Sequence, residues 1–323
     1  MEHSGKIEIH HGDCIEKLNI IEDKSISTIY WDPPFNSDRD YKLSHDSNIG
    51  FNDKWIDSNY ESFIENRLVI LKEKLNQHGS LFFHISSQEQ FIPFCILKRT
   101  FKNVTPIYWR RCRSKNNVKH KLGGAIDVIF WCFDSKNKKF NMVYQKKDEK
   151  YLKQGFKNKD NVGNYGLGHL VTEKTKKGYI YEFKHNDKIF NPPSGWRIKK
   201  EKLEELRNDN RIHYPTKNGN NLYKKIYLHE NPGKLCMDLW DDIHSIARGT
   251  SDIRRYPTAK PVKLLERIIE MTTDEGDIVL DPMAGSGTTG EAALKLNRKC
   301  ILIDQNPDAI KIINERLKNI VKK

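Results

Sequence analysis

Long apolar runs are missing from this chain. No stretch approaches the ~18 uninterrupted apolar residues that a membrane-spanning helix needs, and Met1 to Lys6 lack the hydrophobic segment that directs secretion. Cysteine is scarce and unpatterned. The six residues Cys14, Cys95, Cys112, Cys132, Cys236 and Cys300 form no C-x-x-C pair and no regular spacing, so neither a zinc site nor a disulfide framework is legible, and reduced thiols in a cytoplasm fit best. An excess of acid is absent too. Lys and Arg number 56 against 43 Asp and Glu, a formal charge of +13 with both signs spread along the chain. A field of that sign attracts polyanions, because neutralised phosphates release their condensed counterions; a plain solubility surface is the alternative. With 323 residues, one or two domains are expected.

What is present reads first as alternating strands and helices. Lys6–His11 is β-rich and stops at Gly12-Asp13 before a short helical segment, Cys14–Ile21. A second strand, Ile26–Trp31, ends in Asp32-Pro33-Pro34-Phe35. Two prolines cannot continue a ladder, so the strand stops there in a stiff, extended turn. Asn36 to Trp55 has little periodicity and reads as a mobile loop. Glu61–Leu75 then places Ile64, Leu68, Leu71 and Leu75 on one helical face. Ser80–Ile85 reads as a buried strand, Gln88–Lys98 as a helix, and Val104–Trp109 and Ile126–Phe133 as strands on either side of a basic loop, Arg110–Gly124. From about Asp134 to Leu235 the composition shifts to Lys, Asn, Gly and Tyr without a long period, which marks a separate domain or insertion; within it Lys199–Arg207 is a short helix. Regular alternation returns with helix Pro261–Met271, strand Asp277–Leu280, helix Thr288–Leu296, strand Cys300–Ile303 and helix Pro307–Ile320.

The run Asp281-Pro282-Met283-Ala284-Gly285-Ser286-Gly287-Thr288-Thr289-Gly290 follows one of these strands and opens a helix, where a glycine fingerprint belongs. Glycines there allow a tight turn and close approach of a ligand to bare backbone at a helix N-terminus. Asp304 ends the next strand, 19 positions after Gly285. A carboxylate so placed can accept from both ribose hydroxyls of an adenosine. An ordinary dinucleotide fold would need several more strands, yet only 19 residues follow Asp304. The missing strands must come from the N-terminal segment. The sheet is therefore expected to be a nucleotide-binding α/β sheet in permuted order, with its ligand-binding half last.

That order puts Asp32–Phe35 at the carboxyl end of a parallel strand, on the same crevice as the glycine turn. An amino group on a heteroaromatic ring is a poor nucleophile because its lone pair is delocalised. If the Asp32 carboxylate and the Pro33 carbonyl accept both N–H protons, the nitrogen is biased toward a pyramidal state with its lone pair aimed at an electrophile. Phe35 offers a face on which a base stacks. Such an amino group is inaccessible in a duplex, so the base must be flipped out. A plain strand-ending turn is the alternative.

Together these residues resemble the amino-methyltransferases of DNA, the group whose Asp-Pro-Pro-aromatic motif precedes the target-recognition region and whose cofactor motif comes last. Matching its pattern are Gly12-Asp13, Asp32–Phe35, Arg67–His84, Leu239–Ile243, Tyr256–Pro261 and Asp281–Thr289. The resemblance implies a Rossmann-like α/β fold binding S-adenosylmethionine, with residues 1–133 and 236–323 as the catalytic domain and 134–235 as an inserted target-recognition domain. It implies Asp32, Pro33, Pro34 and Phe35 as the catalytic motif. Asp281, Pro282, Met283, Ala284, Gly285, Gly287 and Thr288 would surround the methionine and ribose of the cofactor, with Asp304 on the ribose hydroxyls, Asp13 near the adenine, and the Lys260-Pro261 turn over the methionine end. Arg110, Arg111, Arg113, Lys115, Lys119 and Lys121 would contact phosphates, and Arg39, Tyr41 and Trp55 are candidates to cover the flipped base.

Asp at position 32 is similar to the adenine-directed members, whereas N4-cytosine members usually carry Ser there; Phe35 replaces the commoner Tyr. The expectation is site-specific methylation of adenine N6 in double-stranded DNA, in a prokaryotic cytoplasm at the nucleoid, with no metal and no membrane. N4-cytosine methylation keeps the same mechanism. A homodimer and a cognate restriction endonuclease are open as partners. No Pro-Cys nucleophile motif supports cytosine C5 chemistry. Three competing functions stay open: methylation of RNA or of a protein side-chain amide, non-catalytic DNA binding on a decayed scaffold, and nicotinamide-dependent oxidoreduction. An oxidoreductase would have no use for Asp32–Phe35.

Overall fold

A computed structural model describes residues 6–37, 39–42, 49–53, 57–112, 122–145, 149–214, 221–247, 250 and 256–321. The chain divides into two compact units, one running to Val143 and resuming at Leu235, the other Tyr144–Lys234. The boundary of the inserted unit thus falls ten residues later than the shift in composition at Asp134. The segment before it packs with the first unit, since Asn141 N–H donates to the Met271 carbonyl at 2.8 Å and Val143 is buried beside Leu264 and Ile268.

The first unit is built on an eight-stranded mixed sheet. Its strands are β1 (Ile7–His11), β2 (Ile26–Trp31), β5 (Leu75–Ser86), β6 (Asn103–Arg110), β7 (Ile126–Phe133), β8 (Leu239–Trp240), β9 (Ile278–Asp281) and β10 (Lys299–Asp304). They lie in the order β1-β10-β9-β2-β5-β7-β6-β8. The five strands from β1 to β5 are mutually parallel and β7 runs against both its neighbours. Strands covered on both faces become continuous apolar runs. All six residues of β2 are accordingly buried.

Helices α1 (Cys14–Leu18), α2 (Asp57–Lys74) and α3 (Phe91–Thr100) cover one face, placing Leu18, Ile64, Leu68 and Leu97 against Ile29, Trp31, Phe83 and Phe130. On the other face, α4 (Val262–Thr272), α5 (Thr288–Lys295) and α6 (Pro307–Val321) set Leu264, Ile268, Ala292 and Leu317 against Tyr30, Phe82, Val279 and Leu302. Each fully buried Leu or Ile contributes roughly 1.5–3 kcal/mol. This is the permuted α/β arrangement expected from the motif order. C-terminal β9 and N-terminal β2 are neighbours in register, Leu280 beside Ile29, and their carboxyl ends open on one edge of the sheet.

One expectation is corrected. Asn36–Trp55 is no featureless loop, because β3 (Arg39–Lys42) and β4 (Ile49–Asp53) pair as an antiparallel hairpin with a register shift between Tyr41 and Lys42. The irregular pairing breaks strict alternation, which is the reason the sequence shows no clean period there. Trp55 lies outside the described residues.

The second unit holds a four-stranded antiparallel sheet of Asn158–Lys159, Asn164–His169, Ile212–His213 and Tyr223–Tyr227, with a helix at Lys200–Asn208. Its core gathers Phe183, Phe190, Trp196, Leu203 and Leu222.

Candidate active site

Three carboxylates converge where β2, β9 and β10 end. Asp281 closes β9 and is buried; its Oδ2 accepts from the Thr289 hydroxyl at 2.5 Å and its Oδ1 from Met283 N–H at 3.1 Å. Burial pushes its carboxyl up to about 7, helped by the charges of Asp32 and Asp304 and opposed by those two hydrogen bonds. Asp304, at the end of β10, accepts from the Gly285 N–H at 2.8 Å through Oδ2 and from the Asn306 N–H at 2.8 Å through Oδ1. Burial raises it as well. Each of its oxygens retains a second lone pair for another donor.

The glycine turn fits its residues to the backbone it needs. Gly285 and Gly287 have φ of +50° and +73°, in the left-handed region. A Cβ on Gly285 would stand 3.0 Å from the ring of Tyr256, which is buried over the turn. Gly290 lets α5 lie close on β10, since a Cβ there would meet Leu302 at 2.7 Å.

Asp32 follows the last residue of β2. Its Oδ2 pairs with the ammonium of Lys260, which also stands 5.3 Å from the centre of the Phe35 ring. Its Oδ1 is buried and has no hydrogen-bond partner among the described residues. The nearest charged neighbour recorded for Oδ1 is Nδ1 of His84, at 3.9 Å, but that nitrogen is engaged by the Tyr30 hydroxyl at 2.6 Å. His84 is fully buried, with Trp109 and Phe35 rings against it and Asp127 3.4 Å from Nε2. The Pro34 carbonyl accepts from the Tyr60 hydroxyl at 2.9 Å.

The expected residues thus divide. Asp32, Phe35, Lys260, Asp281, Gly285 and Asp304 share one edge of the sheet, with Lys260 on Asp32 itself. Asp13 caps α1 by accepting from Ile15 N–H at 2.8 Å and pairs with Arg67 at 3.1 Å. Arg110 pairs with Asp241 at 3.4 Å and Arg111 with Asp127 at 3.1 Å, so both already serve internal carboxylates. Arg39 and Tyr41 lie on β3; Arg113, Lys115, Lys119 and Lys121 lie outside the described residues. Sequence reading missed Tyr30, Asp53, Tyr60, His84 and Asp127. For His84 a signal existed: a lone polar residue inside the apolar run Leu81–Ile85.

The chemistry of this edge suits a ligand that is cationic at one end and bears a ribose. A positive centre would favour the ionised form of Asp281, Asp304 keeps acceptor capacity for hydroxyls, and the bare turn at Gly285–Gly287 permits close approach. Among the described residues no group of three or more His, Cys, Asp or Glu is arranged to hold a metal ion, and no helix is long and apolar enough to cross a membrane.

Comparison with known proteins agrees with this geometry. A family model described as DNA methylase matches residues 26–315. The chain is 29% identical over 312 residues to the type II methyltransferase M.EcaI of Enterobacter cloacae, covering 92% of this chain and 66% of that protein. It is 25% identical over 310 residues to the DNA adenine methyltransferase YhdJ of Escherichia coli K12, covering 96% of this chain and 82% of that one. Two further curated relatives are spanned over 50% and 57% of their length. The fold is shared with the DNA modification methylase TTHA0409 of Thermus thermophilus, solved in complex with S-adenosyl-L-methionine, at a TM-score of 0.51 and 17% identity, over 97% of this chain and 95% of that one.

Proposed function

The chain belongs to the DNA methylase family, and on that basis we propose that it transfers a methyl group from S-adenosylmethionine to the exocyclic N6 of an adenine flipped out of duplex DNA. One observation carries the reading. Asp32 presents a buried oxygen, Oδ1, without a hydrogen-bond partner among the described residues, while its other oxygen is held by Lys260. A buried acceptor left empty is costly. It suits a site completed by a donor from the substrate.

In this reading the amino group donates one N–H to Asp32 Oδ1 and the other to the Pro33 carbonyl, the Pro34 carbonyl being taken by Tyr60. Phe35 stacks on the base. With both protons held, the nitrogen lone pair points at the reacting carbon. Bound S-adenosylmethionine supplies an electrophilic methyl on a sulfonium. The N–C bond forms as the C–S bond breaks, and the proton lost from nitrogen passes to the Asp32 carboxylate. Asp281 and Asp304 bind the cationic and ribose parts, and the glycine turn brings backbone N–H groups to the ligand.

Adenine is favoured by the carboxylate at position 32, whose two acceptor oxygens let one hold Lys260 while the other stays open to an amino proton. The unit Tyr144–Lys234, with its Lys- and Tyr-rich strand Tyr223–Tyr227, is assigned to recognition of the DNA site. The test is methylation of mixed-sequence duplex DNA with methyl-labelled S-adenosylmethionine, followed by identification of labelled nucleosides by mass spectrometry. N6-methyladenine that disappears with Asp32→Ala is expected. N4-methylcytosine would change the base and keep the mechanism; no label in DNA from several genomes would sink the substrate assignment.

A further inference from the structure

The Asp32–Phe35 turn is shaped by groups that touch no reacting atom. The side chain of Asp53, at the end of β4, is buried, with only 1% of the residue exposed. It accepts from the backbone N–H of Asn36 at 2.7 Å, from the N–H of Ser37 at 3.1 Å, and from the Ser37 hydroxyl. Asn36, directly after Phe35, is held at φ +58°, where a non-glycine residue needs support from its surroundings. From the other side the Tyr60 hydroxyl of α2 fixes the Pro34 carbonyl.

The donor set explains why this residue is a carboxylate. Two successive N–H groups and a hydroxyl demand acceptors on both oxygens, and only Asp or Glu offers two acceptor-only atoms. An Asn would turn its own NH2 toward a donor. Burying a charge merely to close a hairpin is a poor solution, because desolvation opposes it. The charge is accounted for if the exact course of the backbone matters.

We propose that Asp53 is a positioning residue for methyl transfer: with Tyr60 it locks the backbone following Asp32 so that the Phe35 ring and the Pro33 carbonyl keep a single arrangement toward the base. The proposal rests on the function above. It also places an acid-sensitive element beside the site. Burial raises the Asp53 carboxyl against the pull of its hydrogen bonds, and the titratable groups facing it are Tyr60 on α2 and Glu89 after β5, itself raised by burial and by Asp53. Protonation of Asp53 removes an acceptor from the Asn36–Ser37 pair, so the rate of methyl transfer falls on acidification.

Single-turnover methylation across pH, cofactor affinity by calorimetry and thermal melting of wild type, Asp53→Asn, Ser37→Ala and Tyr60→Phe test this. Asp53→Asn is expected to slow single-turnover transfer by about tenfold or more, as misplacement of a reacting group does. It should leave S-adenosylmethionine affinity within about twofold and flatten the acid limb of the rate, with the two milder variants in between. An active wild type matched by Asp53→Asn in rate and acid limb overturns the proposal. So does a variant whose cofactor affinity and melting temperature fall together with its rate, since that is a loss of fold. A wild type that binds the cofactor yet methylates no base sinks the function itself, and the role of Asp53 with it.

Discussion

The ammonium of Lys260 meets Oδ2 of Asp32 across 228 residues of sequence. The pair joins the turn before α4 to the end of β2, and both side chains are largely shielded, at 13% and 19% exposure. Such a pair fixes which oxygen of Asp32 is open. It also keeps the carboxylate charged in a region already crowded by Asp281 and Asp304.

Replacing Lys260 with Met removes the hold on Oδ2 while keeping the stem volume. Single-turnover methylation is expected to fall by about 10- to 100-fold, the scale set by loss of positioning and of a preorganised charge. Rapid-quench measurement with saturating cofactor checks it. A rate within twofold of wild type would show that Asp32 needs no such partner.

Cofactor binding should depend on pH through Asp281. Its carboxyl, raised to about 7 in the ligand-free protein, is about half protonated at neutral pH. A cationic ligand favours the carboxylate, so binding expels that proton, and affinity rises from pH 6 to pH 8 by up to about tenfold per unit below the midpoint. For stability the sign is opposite. The folded, ligand-free protein holds this proton more tightly than the unfolded chain, so the contribution of Asp281 to stability declines as pH rises from 3.8 toward 7. Calorimetry in buffers of different ionisation heat measures the proton release, and Asp281→Asn should abolish it.

Gly287→Ala places a Cβ at φ +73°, 3.0 Å from Cγ1 and 3.3 Å from Cα of the fully buried Ile313. The left-handed backbone and the packed neighbour together should destabilise the protein by about 1–3 kcal/mol. Denaturant unfolding gives the number. An unchanged midpoint would mean that the turn adapts without strain.

His84→Ala leaves the Tyr30 hydroxyl and the Asp127 carboxylate without the ring between them, inside a sheet where neither reaches bulk water. A loss of about 2–5 kcal/mol is expected, because both unmet polar groups and a cavity result. Equilibrium unfolding is the measurement, and a loss below about 1 kcal/mol would mean that water replaces the imidazole.

Much of the frame was legible. Ile26–Trp31 could be bounded because a β-rich run is followed by two prolines, and the glycine turn because it lies between a strand and a helix. The short reach after Asp304 was enough to require a permuted order. By contrast the β3–β4 hairpin was hidden by its register shift, and Asp53, some twenty positions beyond Asp32, carried no local sign that it would fold back on Asn36 and Ser37.

The sequence by itself determined the strands, the helices and the two motifs, since those depend on apolar periodicity and on backbone restrictions imposed by Pro and Gly. Only the tertiary structure decided which polar groups meet: Lys260 with Asp32, His84 between Tyr30 and Asp127, Arg111 with Asp127 rather than open to solvent. These partners are set by strand order, which brings β9 beside β2 and β7 beside β5. Pairing between strands is a non-local choice, made by burial of whole faces rather than by any residue near the ones it brings together.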